Sequence, residues 1–135
     1  SGGLIIRFSR RCLEIKAPDE QESIRSDMAV CAYVRSLLRC RTLPVESDQD
    51  ALLALAEEAI RHGTAGLKEE LGGLYDAAWA RATPDERCYL PVIRDRIVKG
   101  SLAERMTGRI SRGEPVTSVL NDMADCLKNN RSYGL

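Results

Sequence analysis

The stretch Thr83-Pro84-Asp85-Glu86 constrains the fold of this chain more than any other. A threonine at the N-cap, a proline at the first helical position and a glutamate at the third form a capping box, which gives two otherwise bare backbone amides a side-chain acceptor. A helix therefore starts at residue 84. Pro91 lies a full turn further on, where it removes an amide and crowds the preceding turn, so it should kink or divide that helix. Gly100 stops the register, and Ser101-Leu102-Ala103-Glu104 starts a short helix with a second capping box. Leu102, Met106 and Ile110 make its inward side. After Arg112-Gly113, Pro115 opens a last helix whose Val116, Val119, Leu120, Met123, Ala124 and Leu127 recur at the helical period.

The same grammar extends upstream. Pro18 with Asp19, Glu20 and Glu22 puts proline and acid in a first turn, predicting a helix from 18 to about 41 with Ile24, Met28, Cys31, Val34, Leu37 and Leu38 facing a core. Ser47 and the acids after it start a second helix whose buried stripe is Leu52, Leu55, Ala56 and Ala59. A third is expected from Thr64 to about Ala82, anchored by Leu67, Leu71, Leu74, Tyr75, Ala78 and the single Trp79. Residues 4–16 instead alternate apolar and polar, which reads as an extended arm or a short hairpin. The expectation is an all-α, compact bundle of five or six helices, with an arm at 1–17, one helical domain at 18–130 and a loose tail at 131–135.

Composition narrows the function. The 135 residues hold 20 Lys and Arg against 20 Asp and Glu, so no overall charge recruits nucleic acid. Five cysteines, odd in number and never paired as C-x-x-C, argue against a disulfide framework or zinc site and for free thiols in an intracellular, cytoplasmic setting. Cys31 and Cys126 fall on expected apolar faces, where a thiol acts as a small hydrophobe. No apolar run approaches the roughly 20 residues of a membrane span. The opening Ser1-Gly2-Gly3, without methionine, is consistent with a cleavage scar or a piece of a longer polypeptide.

The only histidine, His62, is the one residue that suggests chemistry. With Ala59 before it and Gly66, Leu71 and Gly72 after it, the spacing resembles the histidine-containing phosphotransfer family over about fourteen residues. That resemblance implies a helical bundle with His62 as phosphoacceptor, mid-helix and exposed. The family's lysine three positions on is Ala65 here, and the nearest lysine is Lys68. Arg61-His62-Gly63 also has the pattern of a helix C-terminus, with basic residues against the negative end and then glycine. The chain is thus expected to turn at Gly63.

A second candidate site is the basic arm of Arg7, Arg10, Arg11 and Lys16, with Phe8 interleaved. Ile6, Arg7, Phe8, Arg10 and Arg11 suit a partner surface, and the four cations could instead lie along phosphates of a nucleic acid or an acidic surface. Adjacent carboxylates such as Glu57-Glu58 and Glu69-Glu70 diverge around a helix and look like surface charge. No Walker loop, dinucleotide fingerprint, nucleophile elbow or metal cluster occurs, so neither cofactor nor metal is expected. The resulting expectation is a non-enzymatic interaction or regulatory domain that meets a protein partner, or itself, through a helix groove or the arm.

Overall fold

The computed structural model describes residues 4–16, 18, 20–44 and 48–134. It is mostly helical, with a two-stranded sheet at the start. Strand β1 (Leu4–Arg7) pairs antiparallel with β2 (Cys12–Ile15), and a 3-10 turn at Phe8–Arg10 joins them. Seven helical segments follow among the described residues: α1 (Ile24–Leu37), α2 (Gln49–His62), α3 (Lys68–Arg81), α4 (Pro84–Arg87), α5 (Leu90–Lys99), α6 (Leu102–Ser111) and α7 (Val116–Lys128). None is long and apolar enough to cross a membrane.

Both capping boxes form. Thr83 N donates to Glu86 Oε2 at 2.9 Å and Ser101 N to Glu104 Oε2 at 2.7 Å, each with the reciprocal bond. Pro91 divides the segment it was expected to disturb, since it sits in the first turn of α5, where a missing amide costs nothing.

Helices α1, α3 and α5 pack on one another, and Ala29, Ala32, Tyr75, Leu90, Val92 and Ile93 fill the space between them. Leu90 and Val92 are almost wholly buried, a gain of about 1.5–3 kcal/mol each at the usual cost of exposed apolar area. On α1 the core side is Ser26, Ala29, Ala32 and Ser36, not the expected Ile24, Met28 and Leu38, which are exposed, as is Cys31. Small side chains allow α1 to lie close against α3 and α5, and the larger ones then face outward. Cys126 is buried, as its helical position suggests.

Three further expectations are corrected. Helix α1 starts at Ile24 because Ser23 accepts from the Ser26 amide and caps it there. Helix α2 buries none of its residues; Leu52 is exposed rather than part of a buried stripe. Its N-cap is Asp48, while Ser47 lies outside the described residues. Helix α3 starts at Lys68 rather than Thr64, because residues 63–66 form turns, and Trp79 is 39% exposed, stacked on Tyr75 instead of anchoring the core.

Where a loose tail is expected, residues 130–133 are tied down. Glu22, 7% exposed, accepts from the Tyr133 amide at 2.9 Å and from Arg96 Nη2 at 2.6 Å. Ser26 Oγ lies 2.9 Å from Glu22 and 3.0 Å from the buried Ser132 hydroxyl. The Arg25 amide donates to Asn130 Oδ1 at 2.8 Å. Burial alone would push the Glu22 carboxyl up, but the Tyr133 amide, its own amide and Arg96 outweigh this and hold it below the ordinary range.

Candidate functional site

The hairpin brings charged side chains together on one of its faces. Cross-strand partners are Leu4 with Ile15, Ile5 with Glu14, Ile6 with Leu13 and Arg7 with Cys12. Because side chains alternate, Ile5, Arg7, Cys12 and Glu14 share one side, and Ile6, Leu13 and Ile15 the other. On the first side Arg7 Nε donates to Glu14 Oε2 at 2.6 Å, and Lys16 Nζ lies 3.5 Å from Glu14 Oε1. One carboxylate is thus held between two cations, each on its own oxygen. The hydrogen bond from Arg7 keeps the Glu14 carboxyl below its ordinary range, so it is ionised at neutral pH.

Among the predicted site residues, Ile6 and Arg7 lie in β1, and Phe8 and Arg10 in the turn. Arg11 closes the loop at φ 50°, ψ 44°, a left-handed conformation unusual for a side chain of this kind, with its amide on the Phe8 carbonyl at 3.2 Å. Phe8 is 84% exposed. Arg7 and Lys16 are the predicted cations that join the Glu14 cluster. Glu14 itself was missed by sequence reasoning, although it stands two residues before Lys16 in an alternating segment, the spacing that puts both on one side of a strand.

His62 is the last residue of α2, and the chain does turn at Gly63. Gly63 has φ 63° and ψ −132°, and an added Cβ would overlap the Glu104 carboxylate. That carboxylate accepts from the Thr64 amide at 3.1 Å and the Thr64 hydroxyl at 3.0 Å, which ties the α2–α3 turn to α6. His62 Nε2 is 4.0 Å from Glu58 Oε2 on an exposed surface.

A cavity of about 620 Å³ lies beside this turn, lined in part by Lys68, Lys99, Arg105, Arg109 and Arg112. Its cations are largely engaged. Asp95 takes Lys99 at 2.5 Å and Arg105 at 2.9 Å. Arg109 pairs with Glu114, with Asp122 at 2.6 Å and with the Tyr133 hydroxyl, and these bonds raise its already high pKa further. Arg105 and Arg109 also lie over the Tyr133 ring at 4.9 and 5.7 Å. These residues lock the tail onto α6. Among the described residues, no three His, Cys, Asp or Glu side chains gather in a way that could hold a metal ion.

Residues 4–122 match the model of glutamate-cysteine ligase family 2, a match that begins at β1 and runs through most of the helices. The chain belongs to that family. A protein of Archaeoglobus fulgidus, named only "Uncharacterized protein", is 43% identical over 138 residues. That match takes in 98% of this chain, which spans only 36% of the relative's length. No solved structure matches it.

Membership of a ligase family overturns the expectation of a non-enzymatic interaction domain, and with it the phosphotransfer and nucleic-acid alternatives. The absence of catalytic motifs misled because a chain equal to about a third of a relative need not carry a complete catalytic apparatus.

Proposed function

We propose that this chain forms part of a ligase that joins glutamate to cysteine, the reaction its family is named for, and that the charged side of the β1–β2 hairpin helps hold the substrate. The observation that supports this reading is the Arg7–Glu14–Lys16 cluster, in the part of the chain that matches the family. An amino acid is a zwitterion. A carboxylate between two cations offers it complementary contacts, with Glu14 facing an ammonium and Arg7 and Lys16 facing carboxylates.

The test uses a graft in which this chain replaces the matched segment of the Archaeoglobus protein. The graft is supplied with glutamate, cysteine and a nucleoside triphosphate, and the amide product is followed. Arg7→Ala is expected to lower kcat/KM at least tenfold, roughly 1.4 kcal/mol of lost transition-state binding. Glu14→Gln should act mainly through KM for the substrate that carries the ammonium. Undiminished turnover in both variants would remove the hairpin from the reaction.

A further inference from the structure

The opposite side of the same hairpin is apolar and uncovered. Leu13 and Ile15, 45% and 37% exposed, share an open groove of about 470 Å³ with Cys31 and Val34 of α1 and its C-cap Leu38, and the lining also includes the charged Asp27 and Arg35. The core side of α1 is already filled by α3 and α5, so no described element of the chain closes this groove from outside. The sheet is equally incomplete. It has two strands among the described residues, so each has one edge whose backbone amides and carbonyls lack a ladder partner there. Neither strand carries proline, and the charges on them, Arg7 and Glu14, are paired with each other across the hairpin. A two-stranded hairpin is marginal by itself, and three or more strands with a covered apolar face are the stable form.

We propose that this groove and the adjoining sheet edge receive further polypeptide of the ligase itself, as at least one added β-strand whose apolar side chains fill the space between Leu13, Ile15 and the outer face of α1. The occupant is argued from length: nearly two thirds of the Archaeoglobus relative lies outside its match to this chain. Such a strand would gain backbone hydrogen bonds along the edge and apolar burial in the groove, which is how added strands are recognised generally. The proposal rests on the ligase reading for the identity of the occupant. It also accounts for the geometry of the candidate site, since a covered apolar side turns the charged side toward the substrate.

Hydrogen exchange read by mass spectrometry tests it on three proteins: this chain, the intact Archaeoglobus relative and the graft. Peptides spanning residues 4–16 should exchange at least tenfold more slowly in the graft than in the isolated chain, and the matching segment of the intact relative should be protected too. Leu13→Asp should abolish that protection in the graft while α3 and α5 stay protected, which controls for unfolding. Equal exchange of residues 4–16 in the isolated chain and the graft, or an unprotected segment in the intact relative, overturns the proposal. An isolated chain that is dimeric, with the hairpin already protected, overturns it in favour of a second copy as the occupant. Ligation measured on the same samples separates the two readings. Activity without protection removes the docked strand and leaves the ligase, whereas protection without activity does the reverse.

Discussion

Helices α2 and α3 are equally long and adjacent in sequence, yet they stand in opposite relations to the core. Helix α2 has a clear apolar side, with Leu52, Leu53, Leu55 and Ile60, and buries none of its residues; Ile60 is 84% exposed. Helix α3 has the weaker apolar pattern and carries two adjacent glycines, yet it packs against α1 and α5 through Tyr75 and Ala78. An amphipathic pattern states that a face needs cover, but not which polypeptide supplies it. In a chain that spans about a third of a relative's length, a clear apolar pattern such as that of α2 can belong to a surface that the described residues do not close.

The contrast can be broken by substitution, starting with the largest effect. Leu90→Ala should cost about 2–5 kcal/mol in denaturant unfolding, because it opens a cavity in a site with no access to water. Glu22→Ala should cost about 3 kcal/mol by the same measure, since it leaves Arg96 largely buried without its carboxylate and releases the Tyr133 amide. Gly63→Ala should cost about 1–3 kcal/mol, from backbone strain at positive φ and displacement of Glu104. At the other extreme, Ile60→Ser on α2 should change stability by no more than about 0.5 kcal/mol, and a larger loss would mean that α2 has cover in solution.

Acid gives a separate handle on the core side. The Arg39 guanidinium, with Nη1 2.6 Å and Nη2 2.9 Å from Glu86, and the Thr83 amide hold the Glu86 carboxyl down at about 2, against 4.5 for an unperturbed one. Because the folded value is the lower, the unfolded chain binds the proton first. The contribution of Glu86 is therefore complete above pH 4.5 and is lost progressively as pH falls toward 2. In Glu86→Gln that part of the acid dependence should disappear from the thermal unfolding midpoint.

Much of the architecture was legible because caps are local. Thr83, Glu86, Ser101 and Glu104 each act within one turn, and Gly63 ends α2 with its own amide on Ala59. The burial pattern of α1 was not, because Ala29, Ala32 and Ser36 are chosen by the nearness of two other helices, which no window along one helix reports. The Glu14 cluster was half legible: alternation places Glu14 and Lys16 together, but Arg7 reaches them only through the β1–β2 register. That register depends on a turn without glycine, in which Arg11 itself takes the left-handed conformation. The usual hairpin signal is missing there.

The bond from Tyr133 to Glu22 joins residues 111 positions apart. During synthesis the Glu22 carboxylate and the Arg96 guanidinium exist long before that amide leaves the ribosome, so this contact waits for residue 133 although the local cap of α1 does not. Closing so long a loop has to be paid for in chain entropy before the contact returns anything. The bond that ties the start of α1 to residue 133 would then form later than the Ser23 cap that starts the helix, and a nascent chain stalled short of Tyr133 would keep the cap while lacking the tie.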